Sequence, residues 1–208
     1  MKKLLLLGVI ILQTISLYSQ INKENISFEL RYPITSGDNY LNKGFDEGYY
    51  GLIDFGVDYN ILKKNRLGIG ILFNTSMLRL SKTNVNLFIL SPKIKIDYEF
   101  KINKLSIVPQ LGFGYSNWRF RAPEQVLYDD YGNGVIFDKF KNNENGLTVK
   151  GGVKCVLNTN NKLNWYLLFA YEFTKLEKPS FEMANVKYNR NMHLIYPGIG
   201  VIWNFGKN

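Results

Sequence analysis

The sequence predicts an all-β fold, an eight-stranded antiparallel up-and-down transmembrane β-barrel that follows an N-terminal signal peptide. Three observations predict it. Apolar and polar residues alternate with period two in eight segments from end to end, the mark of strands with two unlike faces. The connections alternate between short basic turns and longer polar stretches. The chain opens on a stretch built like a secretory leader.

That leader is MKKLLLLGVIILQTISLYSQ: a positive start at Lys2 and Lys3, an apolar run from Leu4 to Leu12, and the small Ser19 before Gln20. Its apolar part is too short to span a bilayer comfortably as a helix. Cleavage is expected between Ser19 and Gln20, leaving residues 1–19 as signal peptide and 20–208 as one barrel domain. All-β barrels of this size stay undivided. Without Lys2 and Lys3 the mature chain holds 24 basic against 17 acidic residues, about +7. Cys155 is the single cysteine and lies far from the cleavage site, so a disulfide framework and a lipid anchor on an N-terminal cysteine are both excluded. No later apolar stretch suits a membrane helix, so any span must be made of strands.

The strands follow in order. In NISFELRYPI, Ile26, Phe28, Leu30, Tyr32 and Ile34 oppose Ser27, Glu29 and Arg31. In GYYGLIDFGVDY, Tyr49, Ile53, Phe55, Val57 and Tyr59 oppose Tyr50, Asp54, Gly56 and Asp58. LGIGILFNTSM sets Leu67, Ile69, Ile71, Phe73 and Met77 against Gly68, Gly70, Asn74 and Ser76. SPKIKIDYEF sets Ile94, Ile96, Tyr98 and Phe100 against Lys93, Lys95, Asp97 and Glu99. LSIVPQLGFGYSNW sets Ile107, Leu111, Phe113 and Tyr115 against Ser106, Gln110, Gly112, Gly114 and Ser116. In the last three segments, Leu147, Val149, Val153, Cys155 and Leu157 oppose Thr148, Lys150, Gly152 and Lys154. Leu163, Trp165, Leu167, Phe169, Tyr171 and Phe173 oppose Asn164, Ala170 and Glu172, and Ile195, Ile199, Val201, Trp203 and Phe205 oppose Tyr196, Gly198, Gly200 and Asn204. Pro92, Pro109 and Pro197 are expected to interrupt ladders, because proline has no N–H to donate. The short turns fall at 61–66, 101–104 and 158–162; the long connections at about 35–47, 79–86, 118–145 and 174–190.

Volume decides which face is wet. Eight strands enclose a bore just wide enough for side chains, and the apolar faces carry too many large residues to fit inside it. The opposite faces hold Gly, Ser, Asn and scattered charges, which suit a narrow polar lumen. The apolar faces therefore meet lipid, and closure removes the unpaired edge that hydrocarbon would penalise by several kcal/mol per orphaned group. Aromatics near strand ends belong to the interfacial girdles.

With these features the mature chain resembles the small bacterial outer-membrane β-barrel families, OmpA-like and OmpX-like, of the porin-family type. The resemblance rests on the leader, the strand rhythm, Gly-aromatic segments such as LGFGY, and the ending GVIWNF. It implies outer-membrane localisation, short periplasmic turns with long external loops, contact with outer-membrane lipid, and handling by the barrel-assembly machinery through Gly200, Trp203 and Phe205. The residues Gly206, Lys207 and Asn208 after the last aromatic depart from members that end on it. A monomer is expected.

The lumen is expected to hold Arg31, Lys93, Lys95, Lys150 and Lys154 against Glu29, Asp54, Asp58, Asp97, Glu99 and Glu172. So balanced a set predicts ion pairs that fill the bore, where a selective pore would bias one sign. His193 is the single histidine. Its neighbours NMHLIY supply no serine, so no dyad is expected and no catalytic residue is assigned. Cys155 reads as a small lipid-facing hydrophobe. The segment VLYDDYGNGVIFDKF reads as a hairpin in the longest loop, either an exposed recognition element built on Tyr128, Tyr131 and Phe137 or a plain extension of its strands. Asp129, Asp130 and Asn133 lack the spacing of a calcium loop; no metal, no cofactor and no nucleic-acid partner is expected. The function expected is that of a non-enzymatic outer-membrane barrel with a plugged polar lumen, its external loops serving an unknown extracellular ligand or the membrane's integrity. The alternatives are an outer-membrane enzyme acting on lipid A or peptides, and a small porin.

Overall fold

The computed structural model describes residues 25–37, 48–64, 66–80, 85–128, 134–159, 162–177 and 190–204. Within them, period-two alternation becomes eight long strands: β1 (Asn25–Arg31), β2 (Tyr49–Lys64), β3 (Leu67–Leu80), β4 (Asn86–Tyr98), β5 (Leu105–Ala122), β6 (Phe140–Leu157), β7 (Leu163–Leu176) and β8 (Asn191–Asn204). Each pairs antiparallel with the next, and β1 pairs with β8 from Asn25↔Asn204 to Arg31↔Gly198. The sheet is thus a closed barrel with no free edge among these strands.

Four short strands accompany this frame among the described residues. Ile34–Thr35 pairs with β8 beyond Pro33, and Phe100–Ile102 pairs with β5 beyond Glu99. Gln125–Tyr128 and Gly134–Phe137 form a separate two-stranded sheet beyond the ends of β5 and β6. The hairpin expected in the longest loop is therefore present in its backbone and is not paired into the barrel wall.

Outward positions carry the large apolar side chains: Ile94 is 69 % exposed, Phe113 56 % and Leu147 70 %. Those values would be untenable in water over a whole circumference, and they identify the outer wall as a hydrocarbon-facing surface. Among the described residues no helix is long and apolar enough to cross a membrane; the crossing is made by strands.

The prolines interrupt ladders as expected, each on one side only. Pro109 and Pro197 keep their register places opposite Val153 and Phe169, but on its other side Pro109 falls in the gap between Asp97↔Gln110 and Phe100↔Ile107, and Pro197 in the gap between Arg31↔Gly198 and Ile34↔Ile195. Pro92 breaks the ladder between β4 and β5, where pairing steps from Leu90↔Asn117 to Lys93↔Gly114. Gly114 is required at that step, because a Cβ there would run into the Pro92 carbonyl oxygen.

One face assignment is corrected. Tyr49, expected outward with Ile53 and Phe55, is 3 % exposed and points inward, while Tyr50 and Leu52 face out. A bulge between Gly51 and Ile53 inserts one residue against β3, and an extra residue exchanges the two faces of everything beyond it.

Candidate functional site: the barrel interior and its rims

Two layers fill most of the interior, with a smaller apolar set, Val156, Tyr166 and Leu168, nearer the short turns. The end of the barrel that carries the long connections is filled by apolar side chains: Leu78 and Leu80 from β3, Leu87 and Ile89 from β4, Trp118 and Phe120 from β5, and Met192, Leu194 and Tyr196 from β8. Each lies near the long-connection end of its strand. Large residues therefore do enter the bore, contrary to the expectation of a wholly polar lumen.

Charges fill the next layer. Arg31, Lys93, Lys95, Lys150 and Lys154 meet Glu29, Asp54, Asp58, Asp97 and Glu172, and all ten side chains are buried. Arg31 bridges Glu29 at 2.9 Å and also pairs with Asp54. Lys154 spans the bore to Glu29 at 2.8 Å and Asp58 at 2.6 Å. Lys95 pairs with Asp58 and, at 2.5 Å, with Asp97. Lys93 reaches Glu172 at 3.0 Å. A buried charge is tolerated only when paired and hydrogen-bonded, and strands β1, β2, β4, β6 and β7 supply partners because period two aims every second side chain at the axis.

Lys150 is the exception. It lies opposite Glu172 in register, yet the contact its ammonium makes is with the Tyr196 ring, 4.9 Å from the centroid. The same ring receives Arg31 at 5.3 Å, so Tyr196 is held between two cations as a neutral acceptor face. Its hydroxyl meets Ser76 Oγ at 3.2 Å, and Ser76 in turn donates to Asp54. Tyr166 plays a parallel part nearer the short turns, donating to Glu29 at 3.0 Å beneath Lys154. Gly200 makes room for that ring: a Cβ there would collide with Tyr166 Cζ. Gly200 thus has a packing role in the wall, independent of any assembly signal.

Glu99 does not join the lumen set. It lies in the break between β4 and Phe100–Ile102, where it accepts from Lys63 at 2.9 Å and from Ser106 at 2.8 Å. Partial burial there pushes its carboxyl upward, but the hydrogen bond and charge of Lys63 prevail and hold it below the usual range. Trp203 is half exposed on the outer wall at the same rim.

Two arrangements have the residue types of a hydrolase. Ser91 Oγ receives the Lys93 ammonium at 2.6 Å, and Lys93 is held by Glu172. This Ser–Lys–Glu set lies at the bore's centre with Ser91 fully buried, where no substrate could approach the hydroxyl, so it reads as packing. His193 faces outward, bonded through Nδ1 to the Tyr171 hydroxyl and tilted against Phe173, 5.1 Å between ring centroids, while its backbone carbonyl accepts from the Ser36 N–H at 3.0 Å; neither Tyr171 nor Phe173 is a carboxylate or a serine. Among the described residues no cluster of His, Cys, Asp and Glu could hold a metal, and Cys155 lies exposed on the lipid face. Tyr131 and Phe205 lie outside the described residues, as do residues 1–19, and of Tyr128 and Phe137 the backbone alone is described.

No protein-family model and no curated protein matches the chain. Solved structures do. A major outer membrane protein from Thermus thermophilus shares 11 % identity over 88 % of this chain and 100 % of that one, with a TM-score of 0.55. The attachment invasion locus protein Ail of Yersinia pestis matches at 13 % identity, 88 % and 98 % coverage and a TM-score of 0.47. Neisserial surface protein A matches at 14 %, 88 % and 96 %, and 0.46. The first of these supports the fold. Closed eight-stranded wall, apolar exterior and buried ionic layer together define an outer-membrane-type transmembrane β-barrel.

Proposed function

We propose that the chain is a non-enzymatic outer-membrane barrel with a sealed bore, its long-connection end facing outside, and that it serves membrane integrity or binding by its loops. One observation carries the reading: an apolar layer containing Trp118, Ile89 and Leu194 lies across the bore in series with an ionic layer whose charges balance, five against five. An ion would have to leave water for hydrocarbon-like packing and then displace buried pairs, each step opposed by desolvation. The alternative of an external-rim enzyme draws no support from the Tyr171–His193 contact, in which no serine hydroxyl or carboxylate takes part.

Planar-bilayer conductance of refolded protein, run alongside a lipid A deacylation assay, tests the reading. A quiet bilayer and intact lipid are expected. Stable open currents whose ion preference changes on neutralising Lys95 or Asp97 would establish a porin instead, and deacylation would establish an enzyme. Orientation is tested separately: single cysteines at Gly132 or Val186 should label from outside intact cells, and cysteines at Asn103 or Asn160 should not.

A further inference from the structure

The alternation of β5 reverses its meaning beyond Tyr115. From Leu105 to Tyr115 the outward side chains are apolar; from Asn117 onward they are Asn117, Arg119 and Arg121, while Trp118 and Phe120 turn inward. The apolar run covers ten residue steps, about 33 Å of strand and about 25 Å of height at a tilt of roughly 40°, the height of the apolar band of such barrels. Arg119 and Arg121 then stand about 10 and 15 Å above Tyr115 by the same rise and tilt. Long basic side chains reach back from there toward the headgroups.

Registers align these residues into a row around the wall. Tyr50 on β2, Arg79 on β3, Asn86 on β4, Arg121 on β5 and Lys141 on β6 are successive cross-strand partners, with Arg119 one row below. Arg121 and Lys141 are thus directly opposed like charges, an arrangement that destabilises a bare sheet. Among the described residues no carboxylate pairs with Arg119, Arg121 or Lys141. The nearby Glu177 is engaged by the Tyr115 hydroxyl at 2.8 Å, at the level of the girdle. Asn117 fixes Arg119 by accepting from its Nε at 2.6 Å, and itself donates to Asn145 at 2.6 Å.

Below this row, on the same strands, lies an apolar groove of about 690 Å³ bounded by Phe73, Pro92, Ile94, Phe113, Leu147 and Val149. It forms where the β4–β5 ladder skips at Pro92. An apolar groove within the hydrocarbon band takes an acyl chain, and a cationic row at headgroup height takes the phosphate attached to it. We propose that the outer wall of β3 to β6 is a binding site for a phosphate-bearing lipid of the outer leaflet, with one acyl chain in the Pro92 groove and the phosphate on Arg119, Arg121 and Lys141. The proposal rests on the reading that the long-connection end faces outside.

The test uses folded full-length barrel in phosphatidylcholine vesicles doped in both leaflets with bis-phosphorylated lipid A, or with its dephosphorylated form, followed by detergent extraction and counting of retained glycolipid by native mass spectrometry. Wild type should retain the phosphorylated lipid at least tenfold over the dephosphorylated one. The R119Q/R121Q/K141Q variant should lose that preference, and Val149→Trp, which fills the groove but leaves the cations, should reduce retention several-fold. Circular dichroism and heat-modifiable gel migration establish that each variant is folded. Equal retention of the two lipids, an unchanged triple variant, or displacement by excess inorganic phosphate or soluble heparin as effective as by lipid would overturn the proposal. Because both leaflets carry the probe, an inverted orientation would leave retention intact and be caught by the cysteine labelling alone.

Discussion

The two layers of the bore solve one problem with opposite chemistry. Toward the long connections, Leu78, Leu87, Ile89, Trp118 and Leu194 fill the cylinder by volume; toward the short turns, Arg31, Lys95 and Lys154 fill it by charge matched to Glu29, Asp54, Asp58 and Asp97. An apolar layer tolerates apolar substitutions that keep its volume. An ionic layer tolerates removal of a whole pair but not of half of one, because the remaining charge is left buried without compensation. The layers should therefore respond differently to the same kind of change.

The largest effects follow from halving a pair. Arg31→Met leaves Asp54 without its cation and Glu29 with Lys154 alone, and Lys95→Ile leaves Asp97 without its cation and Asp58 with Lys154 alone; each should cost about 3–5 kcal/mol in urea unfolding from lipid vesicles. In the apolar layer Trp118→Ala should cost a comparable amount, about 3–5 kcal/mol, by loss of packing, yet Trp118→Phe should recover most of it. No single substitution of Arg31 should recover comparably unless it restores a cation. Recovery by a neutral side chain at Arg31 would break the comparison.

On the outer wall of the ionic layer the rule changes again. Ile96 is half exposed to lipid beside the inward Lys95, and Ile96→Lys should cost roughly 2–4 kcal/mol if it lies near the midplane, less toward an interface. The cost should fall when unfolding is measured in short-chain detergent micelles, where water reaches the wall. A variant as stable as wild type in vesicles would remove the wall from hydrocarbon and with it the membrane reading.

Lys150 sharpens the comparison from within. It lies in the charged layer, yet it faces an aromatic ring where its neighbours face carboxylates. A desolvated cation–π contact is worth about 2 kcal/mol, against a desolvation penalty of several. Lys150→Met should accordingly leave unfolding free energy within about 1 kcal/mol of wild type, or raise it. A loss as large as that for Arg31→Met would mean that Lys150 compensates Glu172 at a distance.

The inward and outward faces are legible wherever alternation runs unbroken, since period two is the strand's own geometry. From Phe28 to Arg31, Ile94 to Asp97 and Leu147 to Lys154, hydropathy alone assigns each side chain its side. Tyr49 escapes that reading because the bulge at Gly51–Ile53 shifts the phase, and its trace, Gly51 followed by the consecutive apolar Leu52 and Ile53, is passed over when the alternation is taken as unbroken. The apolar layer escapes it for a different reason. Above the hydrocarbon the outside becomes wet, so the apolar face of a strand turns inward; NWRFRA carries that inversion as alternating Trp118, Phe120, Ala122 and Arg119, Arg121. Taking large apolar residues as outward everywhere places these in a connection. The signal is a change of phase between face and environment, with the period itself unbroken.

The smallest effect belongs to the rim, where the ionic layer meets water. Glu99 and Lys63 are each about a fifth to a quarter exposed, and a pair so placed contributes at most about 1 kcal/mol. The Glu99 carboxyl is held below the ordinary range in the folded chain. A depressed carboxyl stabilises the fold above the unfolded-state value, and that contribution disappears as pH falls through the folded value. Glu99→Gln should therefore be slightly less stable than wild type in urea unfolding at pH 7, and the gap should close at acid pH. If the gap between wild type and Glu99→Gln instead widens as pH falls, then Glu99 is coupled to the lumen set, and the rim is part of the ionic layer after all.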